Sequence, residues 1–400
     1  METGEKKLGW ITEQCVKRTA KHLFSDQLNH IDFLIPENLS NAILNELNFS
    51  TETISPETIK HIVGRLQASK FKSLQLLQMR NHCKLVRTQN LRILEIVSPD
   101  AFVFFREDDG VERGFNEPWP VNILRLLYQI LNKRSRRSLE VLRIDGWQVR
   151  FWRGWMKELA PQLPSLQRLD ISDCLLEPAD FSAICAYNIN LEKLNLSRTG
   201  ITDLTGISNL GKLKNLILTD LNIANQTSMD EIFELTKLEV LDISGVSHEG
   251  LLNANKFWAS GKVLPNLQFL DISRNFLNET EALSIIGKHP TLKAIGLIDV
   301  AGETIASAPD ANAGLKILNI ETLQNSLDAL KHYSQKYYTC PPRVWWIIHL
   351  AGSHLVLNYV EQFQEVIHKF VDTALKFAKR QARNAYLDSS VAGFLGACSM

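Results

Sequence analysis

Between Leu139 and Ile320 the chain repeats one pattern of apolar positions, L-x-x-L-x-[LI]. Copies open at Leu139, Leu166, Leu191, Leu213, Leu238, Leu267, Leu292 and Leu315, with Ile295 at the fourth position of one of them. Strand side chains alternate with a period of two, so each triplet predicts a short strand with its aliphatic residues on one face. Between triplets the pattern lengthens to helical spacing, as in Pro178 to Tyr187 and Met229 to Leu235, and predicts a helical return that covers the core.

Successive offsets are 27, 25, 22, 25, 29, 25 and 23 residues, a period inside the leucine-rich-repeat range of roughly 20 to 29. The stretch Leu270-Asp-Ile-Ser-Arg-Asn275-Phe-Leu277 carries the full LxLxxNxL signature, in which Asn275 is expected to hydrogen-bond backbone groups as the chain leaves its strand. One such unit cannot bury its apolar face alone. The units are therefore expected to stack into a curved α/β solenoid spanning residues 70–322. Degenerate copies precede the series at Leu74-Leu77-Met79 and Leu91-Leu94-Ile96. Between about residues 98 and 138 the register is lost, in an insertion holding the acidic turn Glu107 to Gly110 and a helix over Val121 to Leu131.

Both ends read differently. Residues 1–69 have helical periodicity, with candidates at Thr12 to Phe24, Pro36 to Leu47 and Pro56 to Ala68, Ser55 serving as N-cap to the last. Residues 323–400 predict an all-α tail: Ser326 to Tyr338, a Cys340-Pro-Pro hinge, a long amphipathic run from His354 to about Arg383, and a last helix reaching Met400.

Composition adds mainly exclusions. Of the 400 residues, 45% are hydrophobic and 22% charged, near globular averages. Lys plus Arg number 44 and Asp plus Glu 44, so no net field directs the chain to nucleic acid or an anionic membrane. The six cysteines are far apart, without CxxC or zinc-ligand spacing, and read as reduced packing residues. Met1 to Trp10 is charged and the longest apolar stretch, Val344 to Gly352, is short, so cytoplasm or nucleus is the expected location. No nucleophile elbow, P-loop or metalloprotease motif occurs, and His22, His30, His61 and His82 lack ligand spacing; a catalytic role, a metal and a cofactor are not expected. Asp170, Asp242 and Asp271 share one strand slot, with Asn195 in the same column, which predicts a mildly negative stripe on the concave face for a basic partner. The tail tryptophans Trp345 and Trp346 are a rival contact.

In the first helix Ile11, Cys15, Thr19 and Leu23 recur at four-residue steps with Val16 and Ala20 beside them. About twelve residues on comes Ile35-Pro36-Glu-Asn-Leu39-Ser-Asn-Ala-Ile43, an apolar-Pro-x-x-apolar-x-x-x-apolar pattern. The first motif resembles a VHL box and the second the adjoining cullin-two box. Followed by irregular leucine-rich repeats, they resemble the Zyg-eleven/Zer family of substrate receptors for cullin-RING ubiquitin ligases. This resemblance implies that Ile11, Cys15, Val16, Thr19 and Leu23 face elongin C, held with elongin B, and that Ile35, Pro36, Leu39 and Ile43 face cullin-two. It also implies a protein substrate, and a tail that resembles the opening helices of armadillo-like repeats, the part that reads small N-terminal degrons in family members. Ile11 stands where the box usually opens with Leu, and Thr19 where an aliphatic residue is usual. Two other readings compete. An F-box also begins with an apolar-Pro-x-x-apolar helix, although no Trp follows between Asn45 and Ala68. A leucine-rich scaffold or inhibitor without any ligase would need the first helix only as a cap.

Overall fold

The computed structural model describes residues 2–25, 33–46, 54–73, 80–96, 120–146, 151–245, 251–298, 300, 314–335, 347–348 and 364–380. It divides into two compact units, Met1–Lys214 and Asn215–Met400.

The first unit begins with α1 (Glu2–Phe24), α2 (Glu37–Asn45) and α3 (Pro56–Ile62), after which strands alternate with helices: β1 (Lys70–Ser73), α4 (Arg80–Thr88), β2 (Ile93–Ile96), α5 (Ile123–Ile130), α6 (Lys133–Ser138), β3 (Val141–Ile144), α7 (Trp155–Leu159), β4 (Arg168–Asp170), α8 (Pro178–Tyr187) and β5 (Lys193–Asn195). All five strands pair in parallel with their sequence neighbours, and the register stacks Phe71, Leu94, Leu142, Leu169 and Leu194 into one inward column, each buried. Outward positions on these strands are partly buried or exposed, giving the alternation of a sheet with one covered face.

The second unit continues the repeat with β6 (Asn215–Ile217), α9 (Gln226–Ile232), β7 (Val240–Asp242), α10 (Asn253–Ala259), β8 (Phe269–Asp271), α11 (Glu279–Lys288), β9 (Ala294–Gly296) and β10 (Lys316–Leu318), then α12 (Leu323–Gln335) and α13 (Gln364–Arg380). These strands are also parallel. Here β6 to β9 are buried on both faces. The reason is the tail: Val240, Phe269, Ala294 and Leu318 pack into one apolar cluster with Leu330 and Tyr333 of α12 and Phe370 and Ala374 of α13.

Every triplet from Leu139 onward marks a strand, and Asn275 behaves as its position requires, its amide donating to the carbonyls of Ile243, Ile272 and Ser273 at 3.1–3.3 Å. Three expectations are corrected. The first strand is Lys70–Ser73, with Phe71 opposite Leu94, so it precedes the Leu74-Leu77-Met79 triplet, which lies outside the described residues. At the last triplet the register slips by one: Ile317 lies opposite Ile295, and Leu318 opposite Gly296. A one-residue slip exchanges the two faces of a strand, and it is tolerated here because α12 makes both faces apolar. Helix α1 begins at Glu2, well before Thr12. The acidic turn of the insertion, the Cys340 hinge and the last tail helix lie outside the described residues.

Candidate functional site

Helix α1 turns Val16, Ala20, Leu23 and Phe24 inward, the i, i+4, i+7, i+8 stripe of a helix that packs along one side. Cys15 lies on the outer face and is exposed, with exposed Arg18 and His22 beside it and Thr19 half-buried. Ile11 is in the same helix. On the outer surface Glu13 and Lys17 form an ion pair of 2.6 Å, and their hydrogen bond holds the Lys17 ammonium above its usual range. Of the five residues expected to face elongin C, Val16 and Leu23 instead belong to the interior of the module. A four-residue step drifts about 40° around a helix, so the seam splits between Cys15 outside and Val16 and Leu23 inside.

Helix α2 packs on α1 and on β1. Pro36 precedes its first turn at φ −54° and ψ 151°, the conformation a proline ring presets. Ile35 and Ile43, both expected to face a cullin, are buried; Ile35 donates its N–H to Arg65 O at 2.9 Å and bridges to Leu66. Pro36 and Leu39 are exposed. Sequence reasoning missed Phe33 and Leu34, which stand out at 63% and 59% exposed just before the proline. Two consecutive bulky apolar residues ahead of a helix start were the signal available for them.

Polar residues of α2 close the open edge of the sheet. Asn41 Oδ1 accepts from the N–H groups of Ser69 and Lys70, each at 2.9 Å, and Asn45 Oδ1 from that of Lys72 at 3.0 Å. These donors would otherwise form an unpaired strand edge. Ser40, fully buried, donates to Ile35 O at 2.9 Å and accepts from Gln67 N at 3.0 Å.

The strand-slot column is not the open acidic stripe expected. Asp242 and Asp271 are fully buried. Asp242 accepts from Thr219 Oγ1 and Ser244 N, both at 2.9 Å; Asp271 accepts from Ser273 N at 3.0 Å and Tyr333 Oη at 2.7 Å. Asp170 and Asn195 make the same bond to the N–H two residues on, in Ser172 at 3.3 Å and Ser197 at 3.0 Å. The recurring unit is thus [DN]-x-Ser, an Asx turn that satisfies a backbone donor where each strand ends. Asp170 is further paired with Arg143 at 3.4 Å. Trp345 and Trp346 lie outside the described residues. Cys83, Cys174 and Cys185 are buried and in no disulfide, as packing residues should be, and burial pushes the Cys83 thiol up to about 11; Cys15 is the exception to that reading. Among the described residues no group of acidic, His and Cys side chains could hold a metal, and no helix is long and apolar enough to cross a membrane.

The comparisons bear on the repeats. Residues 182–291 match the family model described as Zer-1-like, leucine-rich repeats. Over 215 residues the chain is 31% identical to Gastrulation-defective protein 3 of Caenorhabditis elegans, a match that covers 53% of this chain and 29% of that relative. Among solved structures, internalin F of Listeria monocytogenes aligns at a TM-score of 0.37 and 13% identity, over 66% of this chain and 69% of that one. The functional domain of internalin J from the same organism aligns at 0.33 and 13%, over 66% and 50%. At such scores the internalin likeness carries no argument. In its leucine-rich repeats the chain is thus similar to the Zyg-eleven/Zer family, and it spans less than a third of the length of the curated relative it matches.

Proposed function

We propose that the protein is a non-catalytic substrate receptor that joins elongin C, with elongin B, and cullin-two to a protein destined for ubiquitination, in the cytoplasm or nucleus. Its work would be to raise the effective concentration of substrate lysines near a ubiquitin-loaded enzyme. The observation that supports this most directly is the outer surface of the N-terminal module. A helix with a fully formed inner stripe leaves Cys15 exposed, and the neighbouring helix start leaves Pro36 and Leu39 exposed beside Phe33 and Leu34. In this reading α1 offers Ile11 and Cys15 to elongin C, and the Pro36 end of α2 is the cullin contact. The tail helices α12 and α13 would be the opening of an armadillo-like segment.

A second reading has its own observation. Asn41 and Asn45 seal the edge of β1, so α1 and α2 would be needed as a cap even without a partner. Purified elongin B–C and cullin-two separate the readings. Cys15→Asp should weaken elongin C binding by about thirtyfold or more, as loss of a desolvated interface anchor does. Leu39→Asp should lose cullin-two while elongin C stays bound. A wild-type chain that binds neither protein is a capped repeat scaffold, and one that binds a Skp-type adaptor instead is an F-box receptor.

A further inference from the structure

The two units treat the outward face of their sheets in opposite ways. In the second unit α12 and α13 cover it. In the first, the outward positions of β1 to β5 form two rows that the register aligns: Lys70, Ile93, Val141, Arg168 and Lys193 in one, and Lys72, Glu95, Arg143, Asp170 and Asn195 in the other. Five bases stand against two acids on this patch of a chain whose total charge is zero. Asp145, half-buried, follows β3, and the acids one residue before the first row, Glu140 and Glu192, are paired with Arg92 and Lys214. In the second row charges alternate across the strands, and Arg143 and Asp170 are spent on each other at 3.4 Å with only 12% and 18% of their side chains exposed. Burial first, and then Arg143 and Lys70, hold the Lys72 ammonium below its usual range against the pull of Glu95. The first row has no acid at all. Lys70 at one end and Arg168 towards the other are exposed, Lys193 at the far end is half-buried, and half-buried Ile93 and Val141 lie directly opposite each other between them.

We infer that the outward face of β1 to β5 is a docking surface for an acidic, extended polypeptide segment, with carboxylates over Lys70 at one end and Arg168 and Lys193 at the other and an aliphatic side chain over Ile93 and Val141. Four inter-strand spacings of about 4.8 Å make the row roughly 19 Å long, the reach of about six extended residues. A positive face selects acidic partners and speeds their encounter, and the apolar centre supplies the burial that charge alone does not. This polarity is opposite to that expected from the aspartates of the leucine triplets, because those aspartates are spent on backbone turns and on Arg143.

The test is fluorescence anisotropy with the whole chain and a labelled peptide of two leucines flanked on each side by three glutamates. It is run without elongin or cullin, so that its outcome is separate from that of the receptor reading. The glutamate peptide should bind and weaken as salt rises. Combined Lys70→Glu, Arg168→Glu and Lys193→Glu should lower its affinity about tenfold to thirtyfold. The matching glutamine variants, which guard against misfolding by the reversal, should give an intermediate loss. Affinity unchanged in both sets overturns the inference. So does equal binding of the same peptide with lysines for glutamates, or tighter binding of a single-stranded oligodeoxythymidylate of the same charge, which would make the face a nucleic-acid surface.

Discussion

Tyr333 and Gly296 are a pair that only make sense together. Tyr333 is fully buried and donates its hydroxyl to Asp271 at 2.7 Å; a Cβ on Gly296 would lie 2.5 Å from that hydroxyl and 2.6 Å from Asp271 Oδ1. The glycine is required for close approach, since any side chain there displaces the tail's anchor. Tyr333→Phe should lower stability by about 1–3 kcal/mol through loss of a hydrogen bond to a buried carboxyl group. Gly296→Ala should cost a similar amount by overpacking, about 1–3 kcal/mol. Because both act on one contact, the double variant should cost clearly less than the two added together in urea unfolding. Simple additivity would show that Tyr333 and Gly296 do not share a constraint. His289 is a second informative residue. Its Nε2 accepts from Leu264 N at 3.2 Å, which leaves Nδ1 to donate to Ile285 O at 2.8 Å, so the fold specifies the neutral ring. Burial, with Lys288 adding to it, lowers its pKa below 6.5 although the Ile285 carbonyl opposes this. The unfolded chain therefore takes up the proton first as pH falls. Stability should be complete above about pH 6.5 and decline below it, and His289→Gln should remove that part of the decline measured between pH 7.5 and 5.5.

At the scale of elements, the helix starts show why some boundaries were legible. Ser55 accepts from Thr58 N at 3.0 Å ahead of Pro56, as its sequence position suggested. Asn278 and Glu281 form a reciprocal capping box on α11. On α8 the corresponding acid, Asp180, is fully buried and also accepts from Lys157 N at 2.9 Å, which ties α7 to α8. Asn278→Ala should cost about 1 kcal/mol, the usual value of an exposed cap. Asp180→Ala should cost more, about 2–3 kcal/mol, since it strands donors at two helix starts. Thermal unfolding of the two variants ranks them; equal losses would mean that α7 does not depend on Asp180. Helix α1 makes the same point about function. Val16→Asp should unfold the N-terminal module, whereas Cys15→Asp should keep the far-UV helical signal and, if the proposed receptor role holds, weaken elongin C binding alone. Four-residue spacing in the sequence could not separate these neighbours, because what decides between them is which side of α1 meets α2.

For the whole molecule, the consequential feature is that the tail belongs to the second unit. Without α12 and α13, Val240, Phe269, Ala294 and Leu318 would present a continuous apolar strip to water. A chain ending after Ile320 should bind an apolar dye and lose the cooperative unfolding of this unit, seen as an earlier and broader thermal transition. An unchanged transition would mean that the tail merely rests on the sheet. The repeat period, the strands at the triplets, the hydrogen bonds of Asn275 and the helical ends were readable from the sequence because they depend on periodicity and local hydrogen bonding. The [DN]-x-Ser turn was readable too, although the aspartates alone suggested a binding stripe. Left to the tertiary structure was which outward face stays open, because an outward strand residue such as Phe269 or Val141 looks alike in sequence whether or not a helix some sixty residues later returns to cover it. The same holds for the slip at β10 and for the division of the N-terminal motifs into buried Val16, Leu23, Ile35 and Ile43 and exposed Cys15, Pro36 and Leu39. In each case the outcome depends on burial against a distant segment, a quantity that no local pattern encodes.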